Sequence, residues 1–149
     1  MKMRRFPADG FTLIEVLLSV ALLSLIIGIG APVYQALQVR NDLDIATNTV
    51  TQLLRRAQVL SQAAEGDISW GVSIQGGAIT LFRGMSFVAR DASFDETFDL
   101  PGSIVPSGLG EVVFAKFLGV PQTTGTVTLT ASINEVRTIT INEKGAIIY

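Results

Sequence analysis

The chain contains no histidine and no cysteine. That excludes zinc sites of the Cys/His kind, cysteine nucleophiles, histidine general bases, histidine-ligated haem and any disulfide framework. Carboxylates, guanidinium groups and hydroxyls are left to do chemistry. The densest group is Asp91, Asp95, Glu96 and Asp99, within nine residues. Several oxygen ligands close together suit calcium, yet the spacing is not that of an EF-hand, and an acidic loop with a solvated strand face explains the cluster as well. Arg55-Arg56 has the charge to meet an anion, but on a helix segment of mixed charge it reads as a solvated face. Glu15 is the most unusual carboxylate. It is the single charged residue between Phe11 and Val33, where a carboxylate costs about 2.5–3.5 kcal/mol on membrane-insertion scales.

The elements that position Glu15 follow from composition. Of 149 residues, 48% are hydrophobic and only 16% charged, too apolar for an ordinary soluble domain unless the excess is concentrated. It is concentrated in Phe11–Val33, which at 1.5 Å per helical residue spans about 34 Å, enough for a bilayer core. Lys2, Arg4 and Arg5 precede it against Asp9, so the N-terminus is expected in the cytoplasm and the remainder outside. The net charge of −2 lacks the surplus expected of a nucleic-acid binder. A removed secretory signal peptide is one reading of the segment, although Gly28-Ile29-Gly30 is a poor cleavage site. A plain single-pass anchor is another, and it leaves Glu15 unexplained.

A third reading takes Gly10 and Glu15 together. Gly10-Phe11-Thr12-Leu13-Ile14-Glu15-Val16-Leu17-Leu18 resembles the class III leader of type IV pilins and type II secretion pseudopilins. The resemblance implies cleavage between Gly10 and Phe11 by the prepilin peptidase, N-methylation of Phe11, an assembly role for Glu15, and a helix proline at Pro32. Cleavage would place an ammonium four residues from Glu15, on the same helix face. The pairing is either internal or with a neighbouring subunit, and the second sets register in a filament. Pro32 removes a backbone donor and, with Gly28 and Gly30, is expected to kink the helix.

Beyond Pro32 the pattern becomes amphipathic. Leu43, Ala46, Val50, Leu53, Ala57, Leu60 and Ala64 form a narrow helical stripe, with a short coiled-coil seam as the alternative. Arg40, Asp42, Asp44, Gln52, Arg55, Arg56 and Gln58 occupy the other positions, and Gly66 is expected to stop the helix. The rest reads as antiparallel sheet. Ile68–Ile74 alternates and pairs through Gly76-Gly77 with Ala78–Phe82, placing Val72 against Leu81 and Ile74 against Ile79. Phe94–Leu100 is a strand in which Glu96 spoils the alternation, Glu111–Phe114 is a short strand, and Phe117–Gly125 is a loop. Thr126–Ile133 and Val136–Asn142 are strands joined by an odd loop of three or five residues. Gly145 turns the chain into an edge strand, Ala146–Tyr149.

The expected fold class is therefore α+β: a long N-terminal α-helix, apolar in its first half, packed on a small antiparallel β-sheet domain. The expected organisation is a leader at 1–10, an apolar half-helix at 11–33, an amphipathic half-helix at 34–65 and a β domain at 66–149. The segments F-x-K-F-x-G-V-P, G-T-V-T-L-T and R-T-I-T-I-N-E-K-G between Val112 and Tyr149 resemble the H-type minor pseudopilins and FimT-like minor pilins. The basic C-terminal motif of DNA-binding FimT-like pilins is missing. The resemblance implies a minor, tip-located structural subunit of a type II secretion pseudopilus, not an enzyme, with no cofactor and no metal. The implied partners are other pilin or pseudopilin subunits, the prepilin peptidase, the inner-membrane assembly platform and membrane lipid before assembly. The implied location is the inner membrane with the C-terminal domain periplasmic, then a periplasmic or extracellular filament. Two alternatives stay open: a minor type IV pilin for pilus assembly, adhesion or DNA uptake, and a membrane-anchored binding module.

Overall fold

A computed structural model describes residues 10–75 and 77–149. The leader positions 1–9, and Gly76 of the expected Gly-Gly turn, lie outside the described residues. The chain divides into two compact units, Met1–Leu37 and Gln38–Tyr149. Helix α1, Leu13–Gln62, belongs to both and is unbroken through Gly28, Gly30 and Pro32.

In the first unit none of the described helix residues is buried. Every described large apolar side chain from Leu13 to Ile27 is exposed, so this half is apolar all round, as a lipid-facing helix must be. Its two serine hydroxyls are satisfied internally: Ser19 Oγ donates to the Glu15 carbonyl at 2.7 Å and Ser24 Oγ to that of Val20 at 2.8 Å. A bilayer core offers no water to these groups, so the helix backbone serves them instead.

In the second unit α1 carries the expected stripe, but it is wider. Leu43, Ala46, Val50, Leu53 and Ala57 are buried, and so are Thr47, Thr51, Leu54 and Ser61, while Leu60 is half-buried. The threonines enter the core because Thr47 Oγ1 donates to the Leu43 carbonyl and Thr51 Oγ1 to that of Thr47, at 2.7 and 2.8 Å. The helix ends at Gln62, earlier than the Gly66 stop expected. Ala64 takes the left-handed conformation that closes it, and a 3₁₀ turn, Glu65–Asp67, follows.

Eight strands follow: β1 Trp70–Gln75, β2 Ala78–Arg83, β3 Asp91–Asp99, β4 Ile104–Gly108, β5 Glu111–Phe114, β6 Gly125–Ala131, β7 Val136–Ile141 and β8 Ile147–Ile148. They form two antiparallel four-stranded sheets rather than one, ordered β3-β2-β1-β5 and β4-β6-β7-β8. Both sheets and the α1 stripe contribute to a single core. The β1–β2 register is as expected, Val72 opposite Leu81 and Ile74 opposite Ile79. The β6–β7 loop has the expected odd length. Ala131 N–H donates to the Glu135 carbonyl around Ser132-Ile133-Asn134, with Asn134 left-handed. Ile133 therefore lies in the loop, not in β6.

Strand β1 was expected to bury one face, and both are buried. Phe82 lies across Gly71, where a Cβ would come within 2.6 Å of its ring and 2.9 Å of the Val112 carbonyl. The 84–90 loop covers Phe82 in turn through Phe87, whose ring meets it edge-on at 5.5 Å. Strand β4 was not anticipated. It is a sheet edge, where Pro106 is tolerated because its missing N–H faces outward.

Candidate functional site

At the N-terminal site, Thr12 caps α1. The Glu15 N–H donates to Thr12 Oγ1 at 3.3 Å and to the Thr12 carbonyl at 3.1 Å. Thr12-x-x-Glu15 is the spacing of a capping box, in which the hydroxyl serves an orphan helix donor. Sequence reasoning missed the cap, although the spacing was the signal for it. Glu15 thus sits one turn inside the helix, where a carboxylate also meets the positive end of the helix dipole. Gly10 and Phe11 precede the helix in exposed chain outside any regular element. Nothing within 4 Å would meet a Cβ at Gly10.

The other candidate residues are not brought together. Asp95 pairs with Arg90 at 2.7 Å, Glu96 with Arg56, and the Asp91 carboxylate accepts the Ser93 N–H. Successive strand residues point to opposite faces, so Asp95 and Glu96 diverge. Among the described residues no cluster of three or more metal-ligating side chains forms. Glu96 does not spoil the β3 pattern. It sits opposite Leu81 on the helix-facing side and accepts both Arg56 nitrogens, at 2.6 and 2.7 Å.

Arg55 and Arg56 are exposed, as the solvated-face reading expects, and the α1 polar residues also reach the sheets. Arg40 pairs with Glu135 at 3.3 Å, Asp44 with Arg137 at 3.1 Å, and Arg56 with Glu96. Arg55 lies over the Tyr149 ring. Gln58 Nε2 donates to the carbonyls of Gly119 and Gly145. Exposed and half-exposed side chains on both flanks of the helix therefore also tie it to the sheets.

A helix with an exposed apolar first half and an amphipathic second half seated on antiparallel sheets is a pilin-like α+β architecture. The helix is long and apolar enough to cross a membrane. Residues 6–31 match the family model of the prokaryotic N-terminal methylation motif, so the chain carries a prepilin-type N-terminal segment. Neither the curated proteins nor the solved structures gave a match. The motif points to a structural subunit that the prepilin peptidase processes and that assembles with other pilin subunits.

Proposed function

We propose that the chain is a structural subunit, not an enzyme, of a type II secretion pseudopilus. It is made as a precursor, cut between Gly10 and Phe11 and methylated on the new Phe11 amine. Before assembly the apolar half-helix holds it in the inner membrane, with the β domain in the periplasm. In the filament, Glu15 neutralises a Phe11 ammonium, its own or a neighbour's. The observation that carries the reading is the methylation motif leading directly into an apolar half-helix whose described large apolar side chains from Leu13 to Ile27 are exposed and whose one charge between Phe11 and Val33 is Glu15. The preference for secretion over a type IV pilus rests on the resemblance of Val112–Tyr149, the stretch that forms β5 to β8.

Intact mass of the membrane-extracted protein tests it. The expected species begins at Phe11 and carries one added methyl. Chains that retain residues 1–10 in cells with an active prepilin peptidase would overturn the proposal and favour a membrane-anchored binding module.

A further inference from the structure

We propose that the 84–90 loop of one subunit docks in an apolar cleft of the next copy of the same chain; this rests on the filament reading and names one of its contacts. The loop follows β2 and is held from every side. The Phe87 N–H donates to the Glu111 carboxylate at 2.9 Å, and the Arg90 guanidinium lies 3.8 Å from the Phe87 ring centroid. Arg90 also bonds the Asp95 carboxylate and the Phe87 carbonyl, each at 2.7 Å. Gly84 closes the base, where a Cβ would come within 2.9 Å of the Arg90 backbone. This bracing leaves Phe87 half-buried and the tip apolar and bare, Val88 94% and Met85 68% exposed. Loops usually pass through water on polar side chains. A braced loop that presents aliphatic side chains has the form of a preorganised anchor, which loses little freedom on docking.

The cleft has matching chemistry. Ile45, Ala46 and Thr49 of α1 face Ile79, Phe98 and Leu100 around a space of about 230 Å³. That is room for several waters, each taking about 30 Å³ in the liquid. Its outer wall is apolar and wet, with Ile45 54% and Phe98 42% exposed.

A chain cannot fill its own cleft. Ile79 begins β2 and the loop follows Arg83 at its far end, about 17 Å away at the usual strand rise. The loop packs on Phe82, on the face of the sheet that alternates away from Leu81 and the helix, whereas the cleft lies on the helix side. Knob and hole at opposite ends and faces of one unit make a heterologous contact, which repeats from copy to copy instead of closing on itself. Charge agrees. Arg83 at the loop base has no carboxylate partner among the described residues. Asp99 at the cleft, and Asp42 one turn before Ala46, have no basic partner there either.

The absence of cysteine makes cross-linking clean. Two full-length chains with different tags, V88C and F98C, are co-expressed and their membrane and filament fractions are treated with a short bis-maleimide. A product carrying both tags is expected, lost when I45D is added to the F98C chain, and absent when V88C is paired with V105C on the exposed edge of β4. V88C, F98C and I45D lie at exposed side chains, and unchanged melting temperatures confirm that they fold. No mixed-tag product, or an equal yield with V105C, overturns the docking. Normal filament incorporation without that product removes the docking and leaves the filament reading standing. A mixed-tag product in membranes without incorporation supports the docking and counts against the filament reading.

Discussion

Ser61 and Arg56 sit about one turn apart on α1 and carry very different weight. Ser61 is fully buried, accepts the Trp70 N–H at 2.9 Å and offers its carbonyl to the Phe117 N–H at 2.9 Å. Removing its hydroxyl strands a buried amide, which costs about 1–3 kcal/mol. Arg56 makes a bidentate pair with Glu96, but the two side chains are 53% and 41% exposed, and exposed pairs are worth about 0.2–1 kcal/mol. Denaturant melts should therefore rank Ser61→Ala well below Arg56→Ala, and the opposite order would show that the ion pairs, not the buried junction, fasten the helix end. The proposed role of Glu15 is in assembly rather than folding. Glu15→Leu should insert at least as well as the wild type, since it removes the only charge of 11–33, but should enter filaments poorly because a Phe11 ammonium loses its partner. Fractionation with filament pull-down checks this; equal incorporation would mean that Glu15 merely snorkels to the headgroups.

At the scale of elements, what was legible depended on which rule had no competitor. The β1–β2 register followed from the two-residue side-chain period, because a slip of one would carry Val72 and Ile74 out of the core. The β6–β7 loop length followed from the same rule. Strand β4 was illegible because Pro106 and Gly108 read as loop residues, and only its place at a sheet edge makes them acceptable. Thr47, Thr51 and Ser61 were hidden by their hydroxyls, which the helix backbone or Trp70 satisfies within the fold. At the site, Gly10, Phe11 and Glu15 stood out in the sequence because an isolated charge in an apolar run has few explanations, and the matched motif spans them, whereas the Thr12 cap was overlooked beside them. The wide stripe makes the packing testable. Leu54→Ala, at a fully buried position, should cost about 2–5 kcal/mol. Gly71→Ala would push Phe82 off β1 for about 1–3 kcal/mol of overpacking. Chemical denaturation of both variants provides the check, and a loss under 1 kcal/mol at Leu54 would argue that the helix only rests on the sheets.

The molecule as a whole is two materials on one helix, and its solubility should divide where its packing does. Gln38–Tyr149 holds the core, while the large apolar side chains described from Phe11 to Ile27 are exposed. From Val33 onward there are 8 basic and 11 acidic residues, a charge of −3, which favours solubility. Starting the chain at Gln38 removes no buried residue, because burial on α1 begins at Leu43. A helix in a protein draws most of its stability from packing its amphipathic face, so the persistence of the remaining half-helix must come from the sheets. Residues 38–149 are therefore expected to purify without detergent, to melt cooperatively, and to show slow amide exchange through Leu43–Ala57, with faster exchange towards Gln62 where the helix end is half-exposed. The chain from Phe11 onward should need detergent or lipid. Rapid exchange across Leu43–Ala57 in the soluble fragment would mean that the apolar half-helix, rather than the β domain, holds α1 in place.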